Sequence, residues 1–192
     1  MYTELPAPKK KVEKEGCIMK YIVNRISVSN TPDFIIRDAH GKDLYKLTNQ
    51  AKVGSNYGLF DVAGKKCADI KQVISFSNKI RITSDSREIT LTLSFPFKIN
   101  GDPFIKFKGL DWSTQGNICH HVYSILDGSY EVARVRMTGA LDPNMDLFSK
   151  MIATKHREME IDCNDKYDEP LTFAVIIAIE IAADAEGSRT AN

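Results

Sequence analysis

Histidine, cysteine and acidic side chains are the groups with which this sequence could perform acid–base or metal chemistry. Nucleophilic catalysis needs a nucleophile, a base and an orienting group held together near a turn or Gly-rich elbow, and no stretch matches that pattern. His120 and His121 are adjacent on a predicted strand, so their side chains point to opposite faces and cannot share one metal ion. One should face solvent while the other packs. The sequence therefore predicts a protein that is not an enzyme.

Acidic residues cluster in the segment DCNDKYDE, residues 162–169. Asp162, Asp165 and Asp168 offer the oxygen ligands that calcium prefers. The segment lacks the central glycine and the ligand spacing of an EF-hand, and Lys166 lies among the acids. Two interpretations stay open, a calcium site or a turn followed by a helix cap, and the second is favoured. No other cofactor is expected.

Three pairs of basic residues occur at strand spacing, so that both members of a pair project to one side. They are Lys79 with Arg81, Lys106 with Lys108, and Arg134 with Arg136. Such pairs can hold the phosphates of a lipid head group, although a solvated strand face is the simpler interpretation.

Trp112 lies in the loop-like stretch KGLDWSTQGN, residues 108–117. An exposed tryptophan there would mark a partner or membrane contact, whereas a buried one would close the end of a barrel. The buried position is favoured.

Composition and charge describe an ordinary globular chain of one domain. Its 192 residues are 43% hydrophobic. The 26 Lys and Arg residues nearly balance the 25 Asp and Glu residues, so the whole molecule has no strong attraction to nucleic acid.

The charged N-terminus does not resemble a secretory signal, which predicts an intracellular, cytoplasmic protein. Cys17, Cys67, Cys119 and Cys163 form no ligand cluster and are expected to be reduced thiols. The most apolar stretch, residues 171–185, contains Glu180 and is shorter than the roughly 20 residues of a spanning helix, so peripheral membrane contact at most is expected.

Short alternating runs separated by turn residues predict a mostly β fold built of hairpins. Asn100-Gly101 and Asp127-Gly128 are hairpin signals, and the segments FIIRDAHGKDLYKL and YGLFDVAGKKCADI repeat one frame in which Asp38/Gly41 match Asp61/Gly64. Twelve strands are predicted, near 20–28, 33–37, 43–48, 58–61, 66–75, 79–84, 88–95, 97–100, 104–108, 118–126, 129–137 and 156–162. So many hairpins favour a closed barrel or a two-layer sheet.

The segment 169–185 is predicted to be a helix, because Asp168, Glu169 and Pro170 supply a cap, an acidic first turn and a compatible proline. Its apolar residues fall on every side, which indicates burial all round, although its isoleucines leave a strand open.

Taken together, these segments resemble the LURP-one-related family of the Tubby C-terminal-like superfamily, which includes the phospholipid scramblases. The resemblance covers about residues 18–185 and rests on RDAHGKDLYKL, FDVAGKKCADIKQ, DGSYEVARVRM and REMEIDCNDKYDEPLTFAVIIAIEIAADA, in that order. It implies a twelve-stranded β-barrel threaded by the C-terminal helix. It also implies candidate ligands, since Tubby domains bind phosphoinositides and scramblase relatives are proposed to bind calcium just before their terminal helix. Residues 140–155 do not align and read as an insertion.

The predicted organisation is a flexible arm at 1–16, a barrel domain at 17–186 with its central helix at 169–185, and a flexible tail at 187–192. The predicted function is a non-catalytic binding or adaptor module that engages anionic phospholipid head groups at a membrane surface. The alternative is a structural or accessory subunit of a protein assembly, docking through the N-terminal arm and the 140–155 insertion.

Overall fold

A computed structural model describes residues 16–26, 33–50, 56–73, 79–85, 87–94, 103–138 and 156–190. Within these ranges the chain forms twelve strands and one helix. The strands are β1 (Ile18–Ile26), β2 (Asp33–Asp38), β3 (Asp43–Asn49), β4 (Asn56–Asp61), β5 (Lys66–Val73), β6 (Lys79–Ser84), β7 (Arg87–Ser94), β8 (Phe104–Lys108), β9 (Trp112–Asn117), β10 (Val122–Asp127), β11 (Tyr130–Thr138) and β12 (His156–Asn164), and the helix is α1 (Glu169–Thr190).

The strands form one antiparallel sheet that curls into a nearly closed barrel. Each strand pairs with its neighbour in sequence from β1 to β8 and from β9 to β12, and β1 pairs with β12 to join the two halves. Strands β8 and β9 are therefore the two ends of the hydrogen-bonded order. They lie beside each other, and the Ile105 amide donates to the Thr114 hydroxyl across the gap at 3.3 Å. The predicted mostly β, twelve-stranded barrel is confirmed.

Alternation along the strands separates the core from the outer surface. In β6, Ile80 and Ile82 are buried while Lys79 and Arg81 are exposed, and β7 buries Ile89, Leu91 and Leu93 in the same way. Successive side chains of a β-strand point to opposite faces of the sheet, so every second residue faces the same way. The apolar residues at those positions line the barrel interior.

The two repeated hairpin turns have the same hydrogen bonds. Asp38 accepts from the amides of His40 and Lys42 through its side chain, and Asp61 accepts from those of Ala63 and Lys65. Gly41 and Gly64 both have φ of 81°, a conformation that other residues rarely adopt. The predicted repeat of a hairpin unit is confirmed.

Helix α1 runs through the barrel and supplies the centre of its core. Asp168 caps it, with its carboxylate accepting from the Leu171 amide at 2.8 Å. Every residue from 171 to 183 is buried, as expected for a segment that is apolar on all sides. The helix is confirmed over 169–185 and continues to Thr190, into the segment predicted to be a flexible tail.

Two local predictions differ from the structure. The loop-like stretch around Trp112 contains strand β9, because residues 112–117 pair with β10 despite their glycine and polar residues. Residues 118–121 form a turn instead of the start of a strand. The predicted strand at 97–100, the Asn100-Gly101 turn, the arm through residue 15 and the 140–155 insertion lie outside the described residues.

Candidate functional site

The basic face is an outer surface of the barrel formed by Lys71, Lys79, Arg81, Lys106 and Lys108 on strands β5, β6 and β8. Pairing register arranges these residues in two rows that cross the strands. One row runs through Lys71, Arg81, Thr90 and Lys108, and the other through Lys79, Thr92 and Lys106. At a strand spacing of about 4.8 Å, the first row spans about 14 Å. Two predicted basic pairs, separated by more than twenty positions in the chain, are thus brought together.

The basic face is largely without neutralising acids. Arg81 pairs with Glu88 at 3.5 Å, and both side chains are at least half exposed, so the contact is weak. Within the described residues, none of the four lysines forms an ion pair. Thr90 and Thr92 place hydroxyl-bearing side chains between the cations. The face can therefore bind a multiply charged anion.

An aromatic side chain borders the basic face. Phe104 is 38% exposed, two residues before Lys106 on β8, and the Lys106 ammonium lies 5.5 Å from its ring centroid. Exposed aromatic rings beside lysines are typical of surfaces that contact the boundary between head groups and acyl chains.

The third predicted basic pair lies elsewhere and is neutralised. Arg134 donates to Glu131 at 2.8 Å, and this hydrogen bond raises the pKa of the guanidinium. Arg136 donates to Asp162 at 2.7 Å and lies 3.8 Å from Glu160. Both arginines are on β11, beyond β9 and β10 from the basic face.

The three aspartates of the predicted calcium site have separate structural partners. Asp162 pairs with Arg136, Asp165 accepts from the Cys17 amide at 2.9 Å, and Asp168 caps helix α1. These contacts are those of a turn followed by a helix cap. In the ranges that the structure describes, no group of three or more His, Cys, Asp and Glu residues is placed to hold a metal ion.

Trp112 is half-buried at the end of the barrel where helix α1 begins. Its ring lies edge-on to Phe107, with centroids 6.4 Å apart, and to Tyr167, with centroids 5.9 Å apart. The sequence favoured a buried tryptophan over an exposed one, and the observed burial is intermediate. The ring forms part of a pocket wall.

A buried polar cluster in the barrel core joins helix α1 to the wall. His121 Nδ1 lies 2.5 Å from Glu180 Oε2, and the Tyr123 hydroxyl donates to Glu180 Oε1 at 2.9 Å. Burial, followed by the nearby carboxylate, raises the pKa of Tyr123. His121 is buried while His120 is exposed, as predicted, but a turn with φ of 55° at His121 separates them rather than strand alternation.

The sequence contained one signal for this cluster. A glutamate within a run of buried apolar residues requires a hydrogen-bonded partner, because an unpaired buried charge is costly. The partners were not identifiable, because they come from a turn and a strand about sixty residues earlier. Lys71 of the basic face was missed for a similar reason, since only the β5–β6 register places it beside Arg81.

Acidic and phenolic side chains meet at the first turn of the helix. The Tyr21 hydroxyl donates to Glu169 at 2.5 Å, and burial together with this carboxylate raises the pKa of both Tyr21 and Tyr45. Burial also raises the pKa of the Cys163 thiol to about 12, with Glu169 and Asp162 adding to the effect. The two tyrosines and the cysteine are therefore held in their neutral forms, and the Tyr21 hydrogen bond anchors the helix start.

The fold and its surface define a class of proteins, the twelve-stranded antiparallel barrels with an apolar helix through the centre. The model of the LURP-one-related family matches residues 19–180, and the chain belongs to that family. A protein of Arabidopsis thaliana solved by X-ray crystallography is similar in fold, with a TM-score of 0.54 and 14% identity over 89% of this chain and 95% of that chain. No curated protein matches the sequence.

Proposed function

We propose that this protein is a non-catalytic binding module that attaches peripherally to anionic phospholipid head groups at a cytoplasmic membrane surface. The observation that carries the proposal is the basic face, in which five cations lie on strands β5, β6 and β8 and, among the described residues, only Arg81 forms an ion pair, with Glu88. Clustered lysines and arginines attract anionic membrane surfaces, and each contributes about 1 kcal/mol close to the surface.

Two further features support a binding module. Phe104 beside Lys106 adds an apolar contact next to the cations. The His121, Glu180 and Tyr123 cluster, whose residue types are common in catalysis, is enclosed in the core, where it stabilises the fold. In the part of the chain described, no helix is both long and apolar enough to cross a membrane.

Vesicle flotation with a charge-reversal variant tests the proposal. Lys79→Glu/Lys106→Glu removes two lysines from one row of the basic face, which should cost at least about 2 kcal/mol, or about thirtyfold in partition coefficient. Binding of the unaltered protein should require phosphoinositide or phosphatidylserine and should weaken with salt, because exposed charges are screened.

Lys42→Glu/Lys46→Glu is the matched control, since both lysines are exposed around strand β3 and lie outside the basic face. It makes the same change in net charge and should retain binding. Equal loss in both variants would indicate dependence on net charge alone. Absence of binding to every anionic vesicle would overturn the proposal and favour the accessory-subunit alternative.

A further inference from the structure

A pocket of about 590 Å³ opens at the barrel end where helix α1 starts. It lies beside the gap between β8 and β9, which are the two unjoined ends of the strand order. The β8–β9 connection, including Gly109 and Asp111, crosses this gap and forms part of the lining. A volume of this size is typical of sites for small ligands.

The pocket has a preformed aromatic wall. The rings of Trp112 and Tyr167 meet at 85°, and the ring of Phe107 contacts that of Trp112. The Tyr167 hydroxyl donates to Asp127 at 3.3 Å, which ties the wall to the end of β10. Gly109 holds the connection close to β7, because a Cβ there would lie 2.6 Å from the Glu88 carbonyl oxygen.

Charges of both signs line the pocket: Arg87 and Lys166 are its cations, and Asp111, Asp127 and Asp168 are its carboxylates. Asp168 is already engaged as the cap of helix α1. Arg87 belongs to the start of β7, on one side of the gap. Asp127 ends β10 on the other side, where it pairs in register with Trp112. Lys166 comes from the segment before the helix, and among the described residues neither Arg87 nor Lys166 has an ion-pair partner.

We infer that this pocket binds a small zwitterion that carries both a phosphate and an ammonium group. Arg87 and Lys166 suit the phosphate, because a guanidinium and an ammonium form charge-assisted hydrogen bonds with its oxygens. The ammonium suits the face of Trp112 beside Asp127, where a cation gains both ring and carboxylate attraction. The site is distinct from the basic face, because the two share no residue.

Fluorescence of Trp112 reports directly on the pocket, because it is the single tryptophan of the chain. Titration of the full chain with phosphocholine should give a saturable change in emission. Inorganic phosphate and choline, each carrying half of the ligand chemistry, should bind at least about tenfold more weakly. If either half bound as tightly as phosphocholine, or if phosphocholine gave no saturation at millimolar concentration, the inference would be wrong.

Arg87→Ala and Asp127→Asn test the two charged sides separately. Asp127→Asn keeps an acceptor for the Tyr167 hydroxyl while removing the charge, so the wall is retained. Each variant should weaken phosphocholine binding about tenfold with an unchanged midpoint of thermal unfolding. Lys46→Ala, which removes an exposed cation on β3 outside both the pocket and the basic face, is the control and should leave the affinity unchanged. Unchanged affinity in both pocket variants would overturn the assignment.

Vesicles distinguish the two sources of such a zwitterion. If phosphatidylcholine vesicles change Trp112 emission as free phosphocholine does, the ligand is a lipid head group. If only the free compound does so, the ligand is a soluble phosphorylated amine, and both results support the site. Because phosphatidylcholine vesicles carry no net charge, the outcome is separate from the flotation assay with anionic lipid.

Discussion

Glu180 is a charged residue in the middle of the buried part of helix α1. Its two carboxylate oxygens contact His121 and Tyr123, so the helix is tied to the barrel wall at a defined height. Apolar packing alone specifies such a position less strictly, because isoleucine and alanine each recur at several positions along the buried helix. The hydrogen bonds add a directional constraint.

Removing the Glu180 side chain should therefore be strongly destabilising. Glu180→Ala leaves His121 and Tyr123 without the carboxylate in a dry core, and we expect a loss of about 3–5 kcal/mol in the free energy of unfolding. Glu180→Gln retains an acceptor for the Tyr123 hydroxyl and should lose about 1–3 kcal/mol. Urea denaturation followed by circular dichroism measures both values. Equal, small losses would contradict a structural role for the carboxylate.

The hairpin is the repeated element of this fold, and its turn depends on one backbone conformation. Gly41 and Gly64 have φ of 81°, and a Cβ added at either position would meet nothing within 4 Å. Steric crowding by neighbouring residues is therefore absent at these two positions. Any cost of substitution must come from the backbone conformation itself.

Gly41→Ala should lower the free energy of unfolding by about 1 kcal/mol, because alanine disfavours positive φ. Gly41→Asn should cost less, since asparagine tolerates this conformation. The same pair of substitutions at Gly64 should give matching values, because the turns share their hydrogen bonds. Urea denaturation is the measurement, and an asparagine variant less stable than the alanine variant would contradict the explanation.

The whole molecule keeps several acidic groups neutral around the helix start and in the core. The pKa of Cys163 is raised from 9.0 to about 12, and those of Tyr21, Tyr45 and Tyr123 are raised above 10.0. Burial is the first cause in each case, and nearby carboxylates add to it. The folded state therefore retains protons that the unfolded chain releases in alkali.

Stability should consequently fall as the pH rises above about 9. Cys163 contributes fully below the pKa of the unfolded thiol, and its contribution is lost between pH 9.0 and about 12. The slope is about 1.4 kcal/mol per pH unit for one group, with the tyrosines adding above pH 10. Cys163→Ala should flatten the curve between pH 9 and 10 in thermal unfolding experiments. An unchanged slope in that variant would exclude this thiol as the source.

The sequence by itself determined the elements of this protein, because their signals are local. Alternation in β6 and β7, the Asp38/Gly41 and Asp61/Gly64 turns and the cap at Asp168 depend on residues a few positions apart. Strand β9 was not predicted from the sequence, because its glycine and polar residues have a weak strand preference. Its pairing with β10 overrides that preference.

Only the tertiary structure decided which residues share a site. Pairing register placed Lys71 beside Arg81 and Lys106 across from Thr92, while it put Arg134 across from Asp162 and Arg136 across from Glu160 on β12. Curling of the sheet brought Arg87, Trp112 and Lys166 to one pocket, and threading of the helix brought Glu180 to His121. These contacts join residues far apart in the chain, so local patterns do not encode them.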